Sequence, residues 1–260
     1  MGKISISELK LFKACRRAWY FRYIEELVPI DKLEALQIGS NYHEKLETFY
    51  KTGELDTSDL SKESAMATAY CKYIAPNFPV RSVEDWSRYD LGNDNYLIGR
   101  TDGISDDDTL VEHKTTSGEI TEEYEYNLQW DEQILAYMLM TGARKIWYTV
   151  CRKPTIRQKK DETEEEFFNR MVEWYDDDTE HKIRLIEVFR TDEEVEAFRQ
   201  HLVKMVDIVN KSKQDIDSLY RNCAYCTAWG RRCEYSSICL NYKHGEEYAS
   251  FTRKENTYGL

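Results

Sequence analysis

The run NYLIGRTDGISDDDTLVEHKTTSG, residues 95–118, constrains the fold more than any other stretch of the chain. Two apolar segments, YLIG and TLV, flank an acidic turn of Asp106, Asp107 and Asp108, a pattern that predicts an antiparallel hairpin. Helical periodicity follows through YNLQWDEQILAYMLMTGARK, read as one helix stopped by Gly142, and alternation returns in KIWYTVCR. Hairpin, helix and strand in that order predict an α/β fold, a mixed β-sheet flanked by helices.

The flanks extend this frame. Ser5 and Glu8 make a capping box ahead of Leu9, Phe12, Cys15 or Arg16, Trp19 and Tyr23, so a helix opens the chain with Cys15 facing inward. A second helix is predicted around 36–51, with Ile38, Tyr42, Leu46, Phe49 and Tyr50 on one face and His43 at its border. RKPTIRQKKDETEEEFFNRMVEWY reads as a loop and an acidic helix with Phe167, Phe168, Met171 and Trp174 or Tyr175 inward. KIRLIEVFR is a further strand, and Thr191 with Glu194 caps a helix bearing Val195, Phe198, Leu202, Met205 and Val209. With four prolines and no internal repeat, residues 1–260 read as a single domain. Its parts are a mainly helical stretch at 1–80, a core at 81–212 with an insert at about 152–180, and a cysteine-rich segment at 213–260.

A chain of 260 residues, 41% hydrophobic, can bury a sizeable core. It has no apolar run of about 18 residues and no signal-peptide pattern, so no membrane partner and a cytoplasmic location are expected. Seven cysteines, an odd number, suit ligands better than a disulfide framework. The net charge of −12 speaks against a phosphate-rich partner. The acid is localised, however, and KLFKACRRAWYFRY and CRKPTIRQKK are basic with aromatics interleaved.

Asp102 lies on one strand of the hairpin, and Glu112 and Lys114, two apart, leave one face of the other. Such a trio suits a solvated strand face as well as a site; the apolar strands that carry it favour a site. Carboxylates on adjacent strands bind Mg²⁺ or Mn²⁺ through oxygen, and a nearby ammonium can orient an attacking water. That is the outline of a phosphodiesterase.

GRTD followed by VEHK resembles the Asp and Glu-x-Lys core of the PD-(D/E)XK nucleases. Further stretches resemble their RecB-like branch, which includes CRISPR-associated adaptation exonucleases and phage nucleases: SISELKLFKACRRAWYFRYI its opening helix with a single cysteine, IGSNYHEKLETFY its histidine motif, and QILAY its Gln-x-x-x-Tyr motif. The resemblance runs from residue 4 to 240. It implies a restriction-endonuclease-like sheet and a metal-dependent exonuclease acting on single-stranded DNA or duplex ends, in recombination, replication or repair, with recombination or replication proteins as partners. It implies that His43, Asp102, Glu112 and the backbone carbonyl of His113 hold Mg²⁺ or Mn²⁺, and that Lys114 serves the nucleophilic water. Gln133 and Tyr137 would face the centre and hold Lys114 or the DNA strand. Without that pattern His43 reads as a structural helix residue. The His113 side chain points away from Glu112 and Lys114 by alternation. Gln129, a turn before Gln133, extends that row toward DNA or solvent. Thr101 stands where the superfamily's name has proline. The insert resembles phage members; a CRISPR adaptation nuclease and a non-catalytic iron–sulfur DNA-binding module are the alternatives.

CAYCTAWGRRCEYSSIC, residues 223–239, is spaced C-x2-C-x6-C-x5-C. Cys223, Cys226, Cys233 and Cys239 could form a local Zn²⁺ knuckle. The resemblance implies instead that Cys15 joins three of them around a 4Fe-4S cluster, tying the N-terminal helix to the C-terminal segment. Cys233 and Cys239 match the family's C-x5-C ending; Cys226 is read as the third ligand with Cys223 as its competitor. Cys71 and Cys151 read as structural. Arg16, Arg17, Arg221, Arg231 and Arg232 neighbour the proposed ligands and would give a positive rim.

Overall fold

The structure, a computed structural model, describes residues 2–30, 34–213, 216–240 and 245–253. In chain order its elements are β1 (Gly2–Ser5), α1 (Ile6–Ala14), α2 (Arg16–Trp19), a π-helical turn (Tyr20–Ile24), β2 (Leu27–Pro29), α3 (Glu34–Thr52), α4 (Lys62–Tyr73), β3 (Val80–Gly92), β4 (Asn95–Ser105) and β5 (Leu110–Thr116). There follow α5 (Glu122–Leu128), α6 (Glu132–Thr141), β6 (Lys145–Arg152), α7 (Glu164–Glu173), β7 (Ile183–Phe189), α8 (Asp192–Lys211), α9 (Cys223–Cys226), α10 (Ser236–Leu240) and β8 (Phe251–Arg253). The chain forms two compact units: Leu33–Tyr89 with Ile98–Phe198, and Met1–Lys32 with Asp90–Leu97 and Arg199–Leu260.

The first of these units is built on the mixed sheet that the hairpin predicts. β3 pairs β4, β4 pairs β5 antiparallel, β5 pairs β6 in parallel and β6 pairs β7 antiparallel. Tyr42, Leu46, Met66 and Tyr70 of α3 and α4 pack with Val111, Cys151 and Ile183 of the sheet. A second cluster joins Ile134, Tyr137 and Met138 of α6 to Leu110, Ile146, Tyr148 and Val188. Each such fully buried side chain contributes about 1.5–3 kcal/mol.

In this unit three features depart from the sequence expectation. The helix expected as one piece across YNLQWDEQILAYMLMTGARK is two, because the Asp131 side chain accepts the Gln133 N–H and starts α6 afresh. Gln129 falls in the break and leaves the Gln133 and Tyr137 row; its side-chain and backbone oxygens accept from Arg190. α4 was not expected, since KESAMATAYCKY buries Ser64, Ala65, Met66, Ala67, Ala69 and Tyr70 and shows no polar stripe. Nor was β3, whose alternation is broken by Glu84 at φ 57°.

The other unit gathers the chain's two ends. Ser5 caps α1, its hydroxyl accepting the Glu8 N–H at 3.2 Å, and the buried Glu8 carboxylate accepts from Trp19 Nε1 at 3.1 Å. The opening helix is broken at Cys15, which is extended (φ −159°, ψ 114°) between α1 and α2. Phe21, Tyr235 and Phe251 stack in sequence, and Tyr235 Oη donates to Leu27 O at 3.0 Å. Arg17 Nε donates to Leu219 O at 2.9 Å and Asn222 Nδ2 to Ala14 O at 2.7 Å, so residues some two hundred positions apart hold each other. No described helix is long and apolar enough to cross a membrane.

Candidate active site

β4 and β5 bring the hairpin's charges together. Their register pairs Gly103 with Val111 and Ile104 with Leu110; continued by one step it sets Asp102 opposite Glu112. Asp102 Oδ2 accepts the backbone N–H of His113 at 2.7 Å, and His43 Nδ1 of α3 lies 3.4 Å from Asp102 Oδ1. The helix approaches β5 closely at Gly39, where a methyl group would sit 3.3 Å from Thr115 Oγ1. One turn later that approach delivers His43. The His113 ring turns the other way, as alternation requires, to Thr149 Oγ1 at 2.5 Å and into edge contact with Tyr42 and Tyr70.

Lys114 and α6 complete the group. Lys114 Nζ lies 2.6 Å from Glu112 Oε1 and donates to Gln133 Oε1 at 3.2 Å. Gln133 Nε2 donates to Glu112 Oε1 at 3.0 Å and to Tyr137 Oη at 2.7 Å, and Tyr137 donates to Arg100 O at 2.8 Å. Gly99 admits this helix, since a methyl there would meet Tyr137 Cε1 at 3.1 Å and Met140 Cε at 2.6 Å. His43, Asp102, Glu112, Lys114, Gln133 and Tyr137 therefore form one connected cluster.

The sequence reading missed Asp131, whose carboxylate is 3.8 Å from Lys114 Nζ and accepts from Tyr148 Oη at 3.2 Å. Its position as an N-cap just before QILAY was the available signal. It also missed Glu84 and Arg100, an ion pair that shares with His43 and Asp102 a cavity of about 630 Å³. Glu84 is held at φ 57°, a left-handed conformation costing a side-chain-bearing residue about 1–2 kcal/mol. No sequence pattern announces that.

The two central carboxylates have opposite electrostatic fates. Burial pushes Glu112 up to about 7, with the Asp102 charge adding to it and Lys114 and His43 pulling back. Burial acts the same way on Asp102, but His43 and the His113 N–H outweigh it and hold its pKa low. His43 is raised, burial losing to the Asp102 bond and charge, whereas burial takes His113 down to about 4. Lys114 is raised, because Glu112 and Asp131 overcome its burial.

Among the described residues no three His, Cys, Asp or Glu side chains close into a metal cage. The donor set nevertheless fits a hard divalent cation, since Glu112 Oε2 is buried without a hydrogen-bond partner, opposite Asp102. An orphaned buried acceptor costs about 1–3 kcal/mol, and a cation would remove both that cost and the repulsion between the carboxylates.

The seven cysteines of the chain are unbridged, and five of them lie in the other unit: Cys15 is buried, Cys226, Cys233 and Cys239 are half-buried, and Cys223 is exposed. Burial raises Cys226, and the neighbouring Cys223, Cys15 and Cys239 add to it. Cys233 is pushed up to about 11 by burial, with Cys15 and Cys226 among its neighbours. The Cys233 N–H donates to Cys226 O at 2.9 Å and Arg221 Nη2 to Cys239 O at 2.9 Å. Cys15, Cys233 and Cys239 pack in one apolar cluster with Phe21, Tyr235 and Ile238. Of the expected arginine rim, Arg16 lies over Phe12 and Tyr220 and Arg17 and Arg221 bind carbonyls, while Arg231 and Arg232 are exposed.

The sequence model of the PD-(D/E)XK nuclease superfamily matches residues 3–240. A crystal structure of a candidate exonuclease from Eubacterium rectale is similar at 14% identity and a TM-score of 0.54, over 93% of this chain and 94% of the other. A phage-related exonuclease from Haemophilus somnus is similar at 12% identity and 0.38, over 75% and 94%. An alkaline exonuclease from Laribacter hongkongensis is similar at 14% and 0.36, over 82% and 92%. No curated protein matches the chain in sequence.

Proposed function

Because the chain belongs to the PD-(D/E)XK nuclease superfamily, we propose that the cluster around Asp102 and Glu112 hydrolyses phosphodiester bonds in DNA with Mg²⁺ or Mn²⁺. The observation that carries this reading is the buried, partnerless Glu112 Oε2 facing Asp102. Asp102, Glu112 and His43, with the His113 carbonyl, would hold the cation. When bound, it supplies charge neutralisation and Lewis acidity at the scissile phosphate. Lys114 presents an ammonium beside Glu112 that orients the attacking water and receives the charge developing around it. Gln133 fixes Lys114 and Glu112 at once, and Tyr137 fixes Gln133 against the β4 backbone.

The finer reading is an exonuclease of phage type acting on single strands or duplex ends, in recombination, replication or repair. The family motifs and the insert support it. We further assign Cys15, Cys226, Cys233 and Cys239 to a 4Fe-4S cluster, with Zn²⁺ as the alternative. Supporting this are the packing of Cys15 in one cluster with Cys233 and Cys239 and the exposure of Cys223 alone among the five.

Digestion of end-labelled DNA in Mn²⁺ tests the proposal. Lys114→Ala is expected to slow it about 10²- to 10⁴-fold, the usual worth of a positioned proton-transfer or charge-stabilising group, and Asp102→Asn to abolish it. Either variant cutting at the unmodified rate would remove this centre from the chemistry.

A further inference from the structure

The cavity beside Asp102 is acidic. Glu44, Glu47, Glu84 and Asp102 line it, against the permanent cations Arg100 and Lys153. A phosphodiester strand entering such a space meets net repulsion unless a cation inside it takes a phosphate. Arg100 is placed for that task. It precedes Asp102 by two residues on β4, so both side chains leave the same face about 7 Å apart along the strand. Its side chain is 51% exposed, and it has two partners: Glu84 pairs with Nε, and the guanidinium carbon lies over the Trp86 ring at 5.8 Å from its centre.

That holding is built at a cost. Glu84 sits in the left-handed region in the middle of β3, and its carboxyl is raised by burial and by Asp102 and Glu47, against Arg100. Backbone strain and unfavourable charge are thus both concentrated at the residue whose contact with Arg100 they secure, the pattern of a positioned functional group rather than of a surface pair. A guanidinium paired to a carboxylate through Nε and within cation–π reach of an aromatic ring keeps its two terminal nitrogens for a phosphate. Lys153 offers no such fork, and burial and Lys62 lower its pKa.

We propose that Arg100, oriented by Glu84 and Trp86, binds a non-scissile phosphate of the substrate strand next to the bond being cut. The proposal rests on the nuclease reading of Asp102 and Glu112. It makes Arg100 a substrate-binding residue and Glu84 and Trp86 positioning residues. The geometry sets the spacing: one linkage from the reacting phosphate, matching the step between the two side chains on β4.

The test uses the full-length protein, Mn²⁺ and end-labelled single strands in which one neutral methylphosphonate linkage is moved position by position. For the unmodified protein, one position other than the cut linkage should lower kcat/KM by about 10- to 100-fold, the worth of a charged hydrogen bond. Arg100→Ala should lose a similar factor on the all-phosphate strand and be indifferent to the neutral linkage at that position. Arg100→Lys should keep part of the effect, and Glu84→Gln should raise KM more than it lowers kcat. If Arg100→Ala cuts at the unmodified rate, or if its loss adds in full to that of every neutral linkage, the proposal is overturned while the nuclease reading stands. If the unmodified protein cuts no DNA, both fall.

Discussion

The two clusters of candidate ligands in the chain are held in opposite ways. Asp102 and Glu112 sit on paired strands whose neighbours Leu110, Val111, Ile146 and Tyr148 are fully buried, so the carboxylates are fixed by a core that exists without them. The thiols of Cys226, Cys233 and Cys239 lie on one- and two-turn helices and the loops between them. Their core is a short row of Phe21, Tyr235, Ile238 and Ile216 with Cys15 itself a member. Backbone of the first kind positions a reacting group; backbone of the second kind, on the 4Fe-4S proposal, would be completed by the bound cluster.

That difference predicts where a single substitution does most damage. Losing a bound metal centre belongs to the rare changes costing more than about 4–5 kcal/mol. For Cys233→Ser this means a fall in Tm of about 10–20 °C at about 2–4 °C per kcal/mol. The anaerobically purified variant should also lose the visible absorption of an iron–sulfur cluster. Cys223→Ser, at the exposed thiol, should move Tm by no more than about 2 °C, since surface changes are worth within about 0.5 kcal/mol. A colourless protein containing zinc would reassign the metal, and bleaching by Cys223→Ser with colour kept by Cys226→Ser would reverse the choice between the two cysteines.

The strand-held centre should respond to pH rather than to loss of fold. Without a divalent cation Glu112 has its pKa pushed from 4.5 up to about 7 by burial and the Asp102 charge. The folded state then binds more protons than the unfolded state between those values. Its contribution is complete below 4.5 and is lost as the pH rises through 7. Glu112→Gln removes the titration, so the cation-free variant should be more stable than the unmodified protein at pH 8. The gap should narrow at pH 5 and close below pH 4.5, a change on the order of 3 kcal/mol for a shift of this size. Denaturant midpoints at the two pH values measure it, and a pH-independent difference would show that Glu112 titrates normally.

How legible these centres were follows from how they are held. The hairpin with Asp102, Glu112 and Lys114 could be read because strand alternation projects directly into side-chain direction, and Gln133 and Tyr137 because QILAY resembles a family motif. Asp131 was hidden by reading one helix where its own side chain starts a second. β3 was hidden because Glu84 breaks the alternation that would reveal a strand, and with it went the Glu84 and Arg100 pair. The cysteines were visible as a cluster. Their sorting into one exposed and four sheltered thiols required tertiary contacts with Phe21, Tyr235 and Ile238 that no spacing encodes.

The smallest expected effect is the most discriminating for the strand-held centre. Glu84→Gly relieves a left-handed backbone worth about 1–2 kcal/mol. It adds about 0.5–1 kcal/mol of chain entropy to be lost on folding, and it removes an ion pair to a half-exposed arginine worth about 0–1 kcal/mol. These terms nearly cancel, so Tm should move by less than about 3 °C. Activity should not be spared in the same way, because Arg100 keeps its charge but loses the contact that aims it. A variant as stable as the original with a raised KM for single strands would show that the strain serves Arg100 and not the sheet. A large fall in Tm with unchanged KM would show the reverse, that β3 needs Glu84 for its own pairing, as the rest of this core needs its strands.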